Sequence, residues 1–140
     1  MELKKVVQSL KDIIEEFEEV KLAYLFGSSA TGREGKLSDI DIAVFIDERL
    51  STKERLELEL ELISRLSNLL KTDKIDIVIM NEAPLTLKYN IIKRGIILKS
   101  DEALRVKIEA EILSRYLDRK YFEERRAMEV VKRIARYGLR

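Results

Sequence analysis

Apolar positions recur along this chain in two rhythms, and their alternation predicts the elements. Over residues 2–19, Leu3, Val6, Val7, Leu10, Ile13, Ile14 and Phe17 stand three and four apart with charges between them, which predicts an amphipathic helix. The run LAYLF at 22–26 predicts a strand. A polar loop punctuated by Gly32 and Gly35 leads to DIDIAVFI at 39–46. In that second strand Asp39 and Asp41 project from one face, and Ile40, Ile42, Val44 and Ile46 from the other. One face is therefore expected to be buried and the other to carry paired charge.

Ser51 and Glu54 have capping-box spacing, so a long helix is predicted from there to Leu70. Its core stripe is read as Leu56, Leu60, Ile63, Leu66, Leu69 and Leu70, with Leu58 and Leu62 widening the arc. A third strand at 74–80 carries Asp76. Pro84 opens a short helix, LTLKYNIIKR, which Gly95 is expected to end as a C′ glycine before a fourth strand, IILKS. Residues 102–117 predict a helix with two stripes, one of Leu104, Ile108, Ile112 and Tyr116 and another of Val106, Ala110, Leu113 and Leu117. Two stripes imply two neighbours. One is the core; the other is a last helix, expected from about Tyr121 to Tyr137, or a second protein. The division this suggests is a core over 1–100 and a C-terminal helical extension over 101–140, packed on the core or on a partner.

At 140 residues the chain is long enough for one ordinary core. Charged residues make up 38% with both signs interleaved, while there is one Gln and three Asn, a balance expected of a heat-adapted organism. The absence of cysteine and histidine excludes disulfides, thiolate metal sites and a histidine base. No signal-peptide pattern or membrane-length apolar run is present, so the cytoplasm is the expected location. Residues 101–140 hold 11 basic and 8 acidic groups, a mild excess. With Glu123, Glu124 and Glu129 among the basic residues and no aromatic stacking platform, a solvated or partner-facing helix is preferred over a nucleic-acid contact.

The chemistry concentrates between Leu22 and Ile46. Two neighbouring carboxylates are mutually unfavourable unless a cation lies between them, and hard divalent ions such as Mg²⁺ suit paired carboxylates. Gly27-Ser28 directly after a strand suits a tight turn whose N–H groups face an anion. Ser38, just ahead of Asp39, is placed to tie down the loop. Asp76, early in its strand, becomes a third carboxylate if the strands pair side by side. Three carboxylates and a phosphate turn suggest metal-assisted phosphoryl or nucleotidyl transfer.

Gly27-Ser28, ten intervening residues and Asp39-Ile40-Asp41 resemble the signature of the polymerase-β-like nucleotidyltransferases, and the short length resembles their minimal branch. The resemblance runs over roughly residues 3–118. It implies an α/β (α+β) fold: a nucleotidyltransferase core with a small mixed sheet of about four strands flanked by helices, plus C-terminal helices. It implies ATP as substrate and two Mg²⁺ ions held by Asp39, Asp41 and Asp76, with Gly27, Ser28 and Ser38 at the nucleotide. It further implies a type VII antitoxin that transfers AMP to a tyrosine hydroxyl of a HEPN-domain ribonuclease toxin. A non-catalytic antitoxin that inhibits by binding, and a small-molecule nucleotidyltransferase, are the alternatives. The chain departs from the pattern at Thr31, where many members carry Arg; Arg33 and Lys36 are the cations near enough in sequence to substitute.

Overall fold

The computed structural model describes residues 3–27 and 40–138. In chain order they form α1 (Leu3–Glu15), β1 (Val20–Phe26), β2 (Ile40–Ile46), α2 (Thr52–Leu70), β3 (Ile75–Ile79), a 3-10 turn (Met80–Glu82), α3 (Leu85–Arg94), β4 (Ile96–Lys99) and α4 (Glu102–Tyr137). The sheet is four-stranded in the order β3-β2-β1-β4. It is mixed: β1 pairs antiparallel with β2 and β4, and β2 pairs parallel with β3. Helix α2 supplies the crossover that a parallel pair requires.

Both faces of the sheet are covered, because the inward and outward residues of β1 and β2 are largely apolar. On one face Leu25, Ile42, Val44, Ile46 and Ile77 pack with Leu10 and Ile14 of α1 and with Leu58, Leu62 and Leu66 of α2. On the other, Leu22, Tyr24 and Ala43 pack with Ile91 of α3 and Ile112 of α4. The face of β2 that carries Asp41 is thus not an open charged face. Ala43 and Phe45 continue it beneath the helices, and the charge is confined to the start of the strand.

Three further expectations change. Helix α2 starts with the predicted capping box, but its buried stripe is Leu58, Leu62 and Leu66, while Leu56 and Leu60 are more than half exposed. In the E-L-E-L stretch leucines fall on more than one side of the helix, and the sheet selects which arc goes inward. Gly95 does not adopt the left-handed region; it is extended at φ −70°. A Cβ there would press on the Ile91 carbonyl and on Tyr24, so crowding requires the glycine. The end of α2 is instead closed by Lys71 at φ 56°.

The last two predicted helices are one. Helix α4 runs unbroken for 36 residues, about 54 Å at 1.5 Å per residue. Its first half lies on the sheet. Asp101 caps it by accepting from the Leu104 N–H, and the Tyr24 hydroxyl donates to Glu109 at 2.6 Å. Burial and then the Glu109 hydrogen bond push the Tyr24 hydroxyl well above the usual phenol range. Tyr89 of α3 stacks on Tyr116 with ring centroids 3.7 Å apart, and Arg119 donates to the Thr86 hydroxyl. From Leu117 to Gly138 every residue is exposed.

Candidate active site

The start of β2 is positioned from both sides. The Ile40 N–H donates to the Lys74 carbonyl at 2.8 Å, extending the parallel ladder to the residue before β3. That register sets Asp41 directly beside Asp76. Residues opposite one another on neighbouring strands share a face and lie about 4.8 Å apart along the hydrogen-bonding direction. Two carboxylates 35 positions apart in sequence are therefore brought side by side. On the other flank the antiparallel register sets Phe26 opposite Asp41.

Gly27 follows immediately, with φ 76° in the left-handed region that glycine adopts without steric cost. A Cβ at this position would overlap the Asp41 carboxylate. The turn after β1 is thereby closed down onto the carboxylate, and the glycine is required both by its dihedral and by that approach.

Of the predicted site residues, Gly27, Asp41 and Asp76 are brought together. Ser28, Ser38 and Asp39, together with Thr31, Arg33 and Lys36, lie outside the described residues. Asp76 is exposed, and among the described residues it has no hydrogen-bond or ion-pair partner. The donor set fits a hard divalent cation: carboxylate oxygens only, adjacent on one face, at the rim of the sheet. Phe26 was not singled out from the sequence. Its place beside Asp41 follows from strand register, which an apolar run does not reveal.

A partly open pocket of about 140 Å³ lies elsewhere, lined by Phe45, Met80, Asn81, Leu85, Lys88, Ile112 and neighbouring residues. None of the predicted site residues lines it. Its polar groups are balanced in sign, and Arg115 is already paired with Glu111 at 2.9 Å. No helix among the described residues is long and apolar enough to cross a membrane.

The chain is similar to known proteins in sequence and fold. Residues 8–103 match the family model described as polymerase beta, nucleotidyltransferase. Over 91 residues the chain is 33% identical to the protein adenylyltransferase MntA of Shewanella oneidensis, a match covering 65% of this chain and 60% of that relative's length. A crystal structure of a toxin–antitoxin with AMP-PNP contains a chain that superposes with a TM-score of 0.67 at 24% identity, covering 94% of this chain and 99% of that one. A tri-AMPylated Shewanella oneidensis HEPN toxin in complex with an MNT antitoxin gives a TM-score of 0.63 at 22% identity, covering 89% and 98%. At these identities the structural matches establish the shared fold.

Proposed function

Because the chain belongs to the polymerase beta nucleotidyltransferase family, we propose that it is a Mg²⁺-dependent protein adenylyltransferase of the minimal nucleotidyltransferase branch. In this reading it transfers AMP from ATP to a tyrosine hydroxyl of a HEPN-domain ribonuclease toxin and so acts as its antitoxin. The observation that carries the reading is the placement of Asp41 beside Asp76, with the Gly27 turn closed onto Asp41. The sequence relationship to a protein adenylyltransferase supports the choice of reaction.

Each residue has a role its chemistry permits. Asp39, Asp41 and Asp76 would hold Mg²⁺ through hard oxygen donors. When bound, the metal supplies charge neutralisation on the triphosphate and lowers the pKa of the acceptor hydroxyl. The Gly27-Ser28 turn would bind the outer phosphates through backbone N–H groups and the Ser28 hydroxyl. Ser38, just ahead of Asp39 in sequence, would tie down the turn through its hydroxyl. Asp76, exposed at the rim, would complete the second metal site or accept the proton of the incoming tyrosine hydroxyl. That oxygen bonds to the α-phosphorus, the bond to the bridging oxygen breaks, and pyrophosphate leaves. Most of the acceleration then comes from positioning and preorganised charge.

The test is intact-mass spectrometry of the cognate HEPN toxin after incubation with this protein, ATP and Mg²⁺, with Asp41→Ala in parallel. The expected outcome is a gain of one or more AMP groups that vanishes in Asp41→Ala and on chelation of the metal. A stable complex with no mass gain would instead establish a binding antitoxin. Consumption of ATP on a small alcohol, with no protein acceptor, would establish a small-molecule enzyme.

A further inference from the structure

Helix α4 has two apolar sides, and the structure uses only one. Ile112 is buried against the sheet, with Leu104, Ile108 and Tyr116 half-buried on the same side. The second stripe begins on the packed half, where Val106 is 61% exposed and Leu113 is also exposed, and continues beyond it. Arg119 donates to the Thr86 hydroxyl, and from there α4 runs on for about 27 Å at 1.5 Å per residue with every residue exposed among the described ones. At 3.6 residues per turn the stripe on this projecting half is Leu117, Tyr121, Glu124, Met128, Val131 and Ala135. Leu117 lies about 140° round the helix from Ile112, so the stripe faces away from the body.

We propose that this face pairs with the same face of a second copy of the chain, antiparallel, as a two-helix seam. The steps along the stripe are four, three, four, three and four, which read the same in either direction. Reversed onto itself, the stripe sets Leu117 against Ala135, Tyr121 against Val131 and Glu124 against Met128, large against small at each end. A parallel pair would instead set Glu124 against Glu124, like charge on like charge within the seam.

The edge charges select the same orientation. Asp118, Phe122, Arg125, Glu129, Lys132 and Arg136 line one edge of the stripe, charged except at Phe122. In an antiparallel pair related by a two-fold axis, that edge meets its own copy. Asp118 then lies between Lys132 and Arg136 of the second copy, and Arg125 lies beside Glu129, each twice by symmetry. The overall mixture of signs suits neither a strongly acidic nor a strongly basic surface. Because the stripe faces away from the sheet, both bodies stay on the outer sides of the seam. A helical half held by few or no tertiary contacts is only marginal in water, and the seam supplies packing for it.

The full chain is tested by sedimentation equilibrium at micromolar concentration, where a dimer is expected; a monomer overturns the proposal. Val131→Glu, at an exposed position that leaves the body intact, is expected to raise the dimer dissociation constant at least about tenfold. An unchanged constant overturns the seam as the contact. The chain has no cysteine, so orientation is read directly from Leu117→Cys and Ala135→Cys made separately. Oxidation of their mixture is expected to give a crosslinked dimer, while either variant alone stays uncrosslinked. Crosslinking of each alone and not of the mixture overturns the antiparallel arrangement. These readouts involve no nucleotide, so they stand or fall independently of the adenylyltransferase reading.

Discussion

The two ends of β2 treat polar groups in opposite ways. At its finish, the backbone of Ile46 is clamped by one side chain: the Ile46 N–H donates to Asn81 Oδ1 at 3.0 Å, and Asn81 Nδ2 donates back to the Ile46 carbonyl at 2.9 Å. Asp47, the next residue, accepts from Arg49 Nη2 at 2.8 Å, and this pairing holds its carboxyl well below the usual carboxylate range. Hydrogen-bonding capacity there is spent within the protein. At the start of the same strand, Asp41 stands in register with Asp76, and Asp76 is exposed without a partner among the described residues. One end is closed by hydrogen bonds within the protein; the other sets two carboxylates in register at the rim of the sheet, a donor set that suits a hard cation.

The sharpest way to break this contrast is Gly27→Ala. The added methyl group meets the Asp41 carboxylate in a backbone conformation that L-residues rarely adopt. Roughly 1–3 kcal/mol of stability should be lost in thermal or denaturant melts. Transfer activity should fall by about 10²-fold as the carboxylate is displaced. Activity equal to the parent would remove the glycine turn from the site. Asn81→Leu probes the other end. Losing two hydrogen bonds to Ile46 should cost roughly 2 kcal/mol, with activity unchanged below the lowered melting temperature. A loss of activity in a folded sample would show that the two ends are coupled.

The smallest effect expected is on acid stability. Arg105 and then Ser100 hold Glu102 at about 2, against an ordinary value of 4.5. A carboxyl lowered on folding contributes stability that is present above its unfolded value and is lost as pH falls through the folded one. The melting temperatures of the parent and Glu102→Gln should therefore differ near neutrality and converge as pH falls from 4.5 toward 2. The difference should shrink in high salt, because the pair is at the surface. A gap that persists at low pH would assign the effect to packing rather than charge.

Much of the fold was legible because the signals were local. The Ser51–Glu54 capping box is present as read, and α3 begins just after Pro84 as its fixed φ favours. Asp41 lies second in its strand with Ile42, Val44 and Ile46 turned to the opposite, buried side. The misreadings share a cause. Leu66 lines the core as expected, but Leu58 and Leu62, read only as widening the arc, join it while Leu56 and Leu60 are exposed, because several leucine arcs satisfy the helical period and only the sheet breaks the tie. The division of α4 into two helices mistook a change of neighbours for a change of element. No Gly or Pro lies between Glu102 and Tyr137, so nothing in the backbone stops the helix.

The sequence by itself determined the kinds of element and the chemistry available to them. Strand periodicity set the Asp41 side chain opposite Ile42, and the absence of histidine and cysteine confined catalysis to carboxylates, hydroxyls and amines. Only the tertiary structure decided which carboxylates meet. Asp41 and Asp76 are neighbours because α2 carries the chain back to lay β3 parallel to β2 in one register out of several; a slip of one residue would have turned Asp76 to the opposite face. Tertiary packing likewise chose which stripe of α4 to bury, leaving the other facing outward. Local periodicity can offer both faces of a helix, but only the surfaces already assembled beneath it settle which one is used.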